Sequence, residues 1–199
     1  MGNFLKKLSD ITRIHNRAAF ADVEHRTVNM GSDFLKLARE RYSCRQFTDS
    51  PVSEADLNAL LEAARLAPSA VNKQPVHIWV MNTPEAIEKV KQATDYTFNA
   101  KLVIVVGAKP DEAWVRKYDD KNGAEIDAAI VGTHIMLEAA SRGLGTTWVG
   151  SFDPAKLMES FPQMAGSIPV VLFPVGHPDV GPSARHDERK SLDTLVTRL

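Results

Sequence analysis

The chain has 199 residues, 44% hydrophobic and 25% charged, with a formal net charge of −1. That composition supports a real core in one domain of ordinary size, and its near-neutrality offers no broad field for nucleic acid or an anionic membrane surface. Its single cysteine, Cys44, excludes an intrachain disulfide and fits a reducing compartment.

From the N-terminus, Phe4, Leu5, Leu8 and Ile11 recur at helical spacing and predict a helix over residues 3–20 that packs on the body or on a partner subunit. Asp10, Arg13, His15 and Arg17 interrupt this stretch, so it lacks a signal-peptide apolar region. Lys6 stands where a myristoylation site wants Ser or Thr. No apolar run approaches the length of a membrane span, and a cytoplasmic protein with no membrane partner is expected. Residues 21–31 are polar, end in Gly31 and read as a linker, so residues 1–31 form an extension and 32–199 one domain. Ser32 reads as the N-cap of a helix through about Arg41, with Phe34, Leu35 and Leu37 buried.

Arg41, Ser43 and Arg45 alternate along an extended segment and share a face, with Cys44 pointing away as a small buried residue. Two guanidinium groups and a hydroxyl on one side suit an anion, because arginine presents a planar fork of donors. Ser53 starts the next helix with Asp56 at N3; Leu57, Leu60, Leu61 and Ala64 give its apolar face, and Pro68 ends it. Ser69, Asn72 and Gln74 follow between Pro68 and Pro75, a hydroxyl and two amides able to donate and accept at a heterocycle edge. Val76 to Met81 reads as a strand, Thr83-Pro84 starts a helix, and Leu102 to Val106 is a buried strand.

Residues 109–123 are polar except for Trp114 and Tyr118, which share a face if the segment is helical and either pack in the core or form a lid on a bound ring. Ala124 to Arg142 is a helix apolar nearly all round, which predicts burial on every side and a partner subunit to complete it. Gly143 closes it. Thr146 to Val149 reads as a short strand, Asp153-Pro154 caps a helix to about Phe161, and Ile168 to Val175 is the last strong strand. Arg189-Lys190 near the C-terminus is a second basic pair, by itself a solvated tail. The order is not a regular βαβ alternation, so α+β is the expected class. The six histidines show no metal-ligand spacing such as HExxH, and no metal is expected. Gly143-Leu-Gly145 follows a helix, so it is not a dinucleotide fingerprint.

Four segments together, Arg41-Tyr-Ser-Cys-Arg-Gln-Phe47, Ala67-Pro-Ser-Ala-Val-Asn-Lys-Gln-Pro-Val-His77, Gly143-Leu-Gly-Thr-Thr-Trp-Val-Gly150 and Gly176-His-Pro178, resemble the FMN-dependent nitroreductase family over roughly residues 32 to 195. The resemblance implies an α+β fold with a mostly antiparallel central sheet flanked by helices, and a homodimer with the long helix at its interface. It implies that Arg41, Ser43, Arg189 and Lys190 reach the FMN phosphate and that Arg45 lies against the pyrimidine edge. Tyr42, Pro68, Ser69, Ala70, Asn72, Trp148 and Val149 complete the implied FMN-binding set, although Trp148 fits a core strand position equally well. The backbone N–H groups of Gly150 and Ser151 would face the reactive edge of the ring. Some members carry Glu where this chain has Gly150, so no acid is expected at that point. No catalytic side chain is singled out, because the flavin does the chemistry. The implied activity is reduction of nitroaromatics, quinones or related small-molecule acceptors by NADH or NADPH in a ping-pong sequence. Specialised flavin reductases of dehalogenase or enal reductase type, and a flavin-binding protein without turnover, stay open beside it.

Overall fold

The computed structural model describes the backbone from Met30 and the side chains from Asp33, both to Leu199. The helix expected over residues 3–20 and most of the expected linker lie outside the described residues. Helix α1 (Met30–Glu40) is already formed at Met30. Gly31 and Ser32, expected at a linker end and an N-cap, lie inside it, since one helical glycine costs only about 1 kcal/mol relative to alanine. Phe34 and Leu35, expected to be buried, are 54% and 56% exposed. An apolar stripe marks a face that favours cover without saying which chain supplies it.

The chain divides into two units, and the second, Leu37–Leu199, carries the sheet and the core. Helix α2 (Glu54–Leu66) starts as its capping residues dictate. Ser53 Oγ accepts from the Asp56 N–H at 3.0 Å and donates to Asp56 Oδ2 at 2.6 Å. It ends where Ala67, before Pro68, turns extended. Strand β1 (Val76–Met81), helix α3 (Pro84–Lys91) and strand β2 (Leu102–Ala108) follow. Thr83 caps α3 by accepting from the Ala86 N–H at 3.2 Å. Helix α4 (Ala124–Ser141) closes on Gly143, whose φ of 71° is the left-handed turn that favours glycine. After strand β3 (Gly145–Thr146), Asp153 caps helix α5 (Pro154–Ser160). Strand β4 (Ile168–Gly176) and the short helix α6 (Leu192–Leu195) complete the chain.

The sheet order is β1-β2-β4-β3 and every pairing is antiparallel. β2 is buried along its whole length, and its period-two alternation divides it between two cores. Leu102, Ile104, Val106 and Ala108 meet α2 and α4 on one face, while Val103 and Val105 meet Ile87 of α3 and Leu157 of α5 on the other. Helices therefore cover both faces of an antiparallel sheet, the α+β layering that the irregular order of elements implies. Gly107 is needed where it stands, because a Cβ there would lie 2.5 Å from the Trp79 ring.

Three further expectations change. The strand expected over Thr146 to Val149 pairs only at Gly145 and Thr146, with Val149 rejoining Leu172 through an isolated bridge. In that register Thr147 falls opposite Pro174, which has no N–H to return, and the Thr146 hydroxyl donates to the Pro174 carbonyl at 2.8 Å. Residues 109–123 are not a helix: a short 3₁₀ turn, Pro110–Glu112, leads to a bridge between Val115 and Asn122. Trp114 and Tyr118 share no helical face, and Tyr118 is 83% exposed rather than packed. Finally, α4 is not buried all round among the described residues. Asp127, Ala128, Val131, Ile135 and Ala139 face the core, whereas Ile126, Ile130, Thr133 and Leu137 form a stripe that the described residues leave partly or fully open.

Candidate functional site

The run after α1 is held extended by its neighbours. The Cys44 N–H donates to Thr146 O at 3.0 Å, and Ser43 bridges Thr146 in parallel. Extended backbone sends alternate side chains to opposite faces. Cys44 is accordingly buried, at 1% exposure, while Ser43 and Arg45 are exposed. A Cβ at Gly145 would lie 2.7 Å from Cys44 Sγ, so the two segments pack closely only because that residue is glycine.

The C-terminal segment is laid across this run by a series of hydrogen bonds. The Thr48 N–H donates to His177 O at 2.9 Å, the Asp179 N–H to Gln46 O at 3.1 Å, and Gln46 Nε2 to Asp179 Oδ2 at 3.0 Å. The Tyr42 hydroxyl donates to Val180 O at 2.7 Å, and His186 Nε2 donates to Arg39 O at 2.7 Å. These bonds bring residues from opposite ends of the domain to one cavity of 380 Å³. It is lined by Arg41, Tyr42, Ser43, Arg45, Ser183, Arg185, His186 and Arg189. Four of those are arginines and none is acidic. Burial pushes the Arg41 guanidinium below its ordinary value, and the like charge of Arg189 pushes it the same way. A cluster of that kind suits an anion. Phosphate oxygens match it, since each charge-assisted donor strengthens the bond it makes.

Arg41, Tyr42, Ser43, Arg45 and Arg189 are thus brought together, while Lys190 is exposed and does not line the cavity. Arg185, His186 and Ser183 were not singled out from sequence. The four-residue spacing of Arg185 and Arg189 was the available signal, but only the tail's path over residues 39–47 gives it meaning.

The amide-bearing loop is built separately. Pro68 is exposed, Ser69 and Ala70 are half-buried, and Asn72 is exposed. The Gln74 N–H donates to Ser69 Oγ at 2.8 Å, and Gln74 Nε2 donates to Asn72 Oδ1 at 3.0 Å. These bonds use acceptors, which leaves the Ser69 O–H and the Asn72 amide N–H groups as donors toward a ligand. Ser69 and Gln74 line a second, smaller cavity of 270 Å³ with Val76, His77 and Val131, and no loop residue lines the arginine cavity. Trp148 is 38% exposed and packs edge-on against Phe173 at 5.4 Å, over Gly132 of α4. Val149 is buried, and its N–H and C=O are both bonded to Leu172. Gly150 and Ser151 are exposed, with Ser151 O accepting from the Thr94 hydroxyl at 2.7 Å.

A larger cavity of 550 Å³ opens among Phe47, Val52, Ile87 and Leu102. Its lysines are already paired, Lys91 with Glu88 at 2.7 Å and Lys101 with Asp49 at 3.2 Å. It therefore has no uncompensated charge comparable to the arginine cluster. Among the described residues no helix is long and apolar enough to cross a membrane.

A family model, that of the Nitroreductase family, matches residues 38–98 and 89–177. An Archaeoglobus fulgidus protein provisionally named NADH dehydrogenase/NAD(P)H nitroreductase is 34% identical over 148 residues, 71% of this chain and 81% of that protein. The crystal structure of a nitroreductase family protein from Clostridium difficile superposes with a TM-score of 0.78 at 34% identity, covering 82% of this chain and 96% of that one. A provisionally named nitroreductase from Desulfovibrio desulfuricans, solved in complex with FMN, superposes at 0.69 with 25% identity, covering 83% and 95%.

Proposed function

The chain belongs to the nitroreductase family, and from that premise we propose that it is an FMN-dependent oxidoreductase. It uses NADH or NADPH to reduce small organic acceptors, nitroaromatics and quinones among them. One observation carries this reading: Arg41, Ser43 and Arg45 meet Arg189 around a cavity with no acidic lining. A phosphate monoester brings about −1.5 to −2 charges, which the cluster is built to match. The FMN complex of the Desulfovibrio desulfuricans relative supports the choice of ligand.

Arg41, Ser43 and Arg189 would hold the phosphate, with Lys190 close enough in sequence to join them. Arg45 lies one residue pair further along the same face and would meet the pyrimidine edge. The Ser69 hydroxyl and the Asn72 amide would donate to the ring, with Tyr42, Pro68, Ala70, Trp148 and Val149 shaping its surroundings. The Gly150 and Ser151 N–H groups would face its reactive edge. FMN supplies the two-electron chemistry when bound; the side chains contribute binding, orientation and electrostatics.

One chain keeps the arginine cavity and the Ser69 loop apart, and α4 carries an open stripe of Ile126, Ile130, Thr133 and Leu137. Both features fit a homodimer with FMN where two copies meet. On this reading the nicotinamide donor and the acceptor enter one pocket in turn, in a ping-pong sequence.

The test is reconstitution with FMN, followed by oxidation of NADH and NADPH with and without a nitroaromatic and a quinone. Acceptor-dependent oxidation supports the reading. A protein that retains no FMN overturns it, and retention without turnover reduces it to a flavin-binding protein. Light scattering that reports an FMN-loaded monomer would sink the dimer.

A further inference from the structure

The loop that the FMN reading turns toward the ring is held in an unusual backbone. Val71, Asn72 and Gln74 have φ of 46°, 56° and 52°. Asparagine tolerates that region, but a β-branched residue rarely adopts it and relaxes out of it unless its surroundings hold it there. Val71 receives no such support from packing, being 72% exposed. The bonds from Gln74 to Ser69 and Asn72 shape the loop without fixing its place.

Two side-chain bonds tie the loop to the body. Lys73 Nζ donates to Ala113 O at 3.2 Å, and the Ala70 N–H donates to Asp127 Oδ1 at 3.0 Å. Asp127 is 2% exposed, in the first turns of α4, and its Oδ2 is buried with no partner among the described residues. A carboxyl group buried on a single backbone donor is unfavourable for stability, and an apolar residue of its volume would pack there better. Core packing therefore does not account for an aspartate at this point. What its side chain supplies is a fixed acceptor under Ala70.

We infer that Asp127 is a positioning residue for the ring-facing loop. Its Oδ1 holds the Ala70 N–H, and with it the strained backbone that presents the Ser69 hydroxyl and the Asn72 amide to the flavin. The inference rests on the FMN reading. Asp127 touches no ligand; it acts through Ala70.

The test separates ring contacts from phosphate contacts by titrating both FMN and riboflavin, which lacks the phosphate. Asp127→Leu removes the acceptor and also the buried polar group, so no orphaned carboxylate oxygen is left in the core. It should weaken FMN and riboflavin by the same factor, about tenfold. Asp127→Asn keeps an oxygen for Ala70 and should bind both within about threefold of wild type. In turnover, Asp127→Leu should lower kcat, because Ser69 and Asn72 no longer orient the ring. Should Asp127→Leu not fold, amide exchange in the wild type decides: the Ala70 N–H must be protected. Wild type binding both flavins with Asp127→Leu unchanged, or an unprotected Ala70 N–H, overturns the inference and leaves the FMN reading standing. Wild type binding neither flavin overturns the reading and the inference with it.

Discussion

Replacing Arg189 by alanine should separate FMN from riboflavin. Arg189 lines a 380 Å³ cavity with Arg41, Arg45 and Arg185, and no acidic residue is in that lining. A hydrogen bond to a charged group contributes about 1.5–3 kcal/mol. Arg189 is exposed, so solvent screening selects the lower end of that range. At about 1.4 kcal/mol per decade of affinity, the loss is roughly tenfold for FMN. Riboflavin should bind mutant and wild type alike. The ligand-free protein should respond in the other direction. Burial first, and then Arg189, holds the Arg41 guanidinium below its ordinary value. Removing Arg189 relieves that repulsion, so the melting temperature of the ligand-free protein should stay level or rise slightly. Flavin fluorescence titrations at two salt concentrations read the effect, and the FMN difference should shrink as the Debye length falls below about 10 Å above 0.1 M salt. A mutant that distinguishes FMN from riboflavin as well as the wild type does would show that the tail is not at the phosphate.

Arg45→Met keeps most of the side-chain length and removes the charge. It should leave FMN bound, more weakly, with a more negative two-electron potential; about 30 mV corresponds to roughly 1.4 kcal/mol, and equal midpoints by spectroelectrochemical titration would make Arg45 a surface group only. Ser53→Ala removes the cap of α2 and should destabilise the protein by about 0.5–2 kcal/mol in urea unfolding. The pH dependence adds a sign: Ser53 first, then Arg142, holds the Asp56 carboxyl below its ordinary value, so its contribution is present above about pH 4 and is lost as the pH falls through the folded value. The gap between wild type and Ser53→Ala should therefore narrow in acid. Gly107→Ala would bring a Cβ to 2.5 Å from the Trp79 ring and should destabilise by about 1–3 kcal/mol, read as a drop in melting temperature.

Much of the fold is local chemistry and is legible for that reason. Ser53, Thr83 and Asp153 start helices by accepting backbone N–H groups within their own first turn. Pro68 stops α2 through its immediate neighbour, and the unbroken apolar run at Leu102 reads as a strand buried on both faces. The readings that changed depend on what lies across from a residue. Thr147 leaves the ladder because Pro174 stands opposite, a fact of register. Tyr118 is exposed because residues 109–123 form a bridged turn, whose pairing no helical spacing describes. Phe34 and Leu35 carry the right pattern for burial, but a pattern does not name its cover. The candidate site divides along the same line. Alternation alone put Arg41, Ser43 and Arg45 on one face, whereas Arg185 and His186 joined them only through the tail's hydrogen bonds to residues 39–47.

Cys44 gives the domain a built-in clock. It is the chain's only thiol, it is 1% exposed, and it lies behind the strand whose opposite face carries Ser43 and Arg45. Its S–H is bonded to Gln46 O at 3.2 Å and roofed by Gly145. No alkylating reagent reaches the sulfur until that strand lifts from the Gly145 segment. The labelling rate of the native protein thus reports the opening free energy of one local unit. A ligand that bridges the strand to the tail must slow that rate, whether or not it changes the colour or the turnover of the protein.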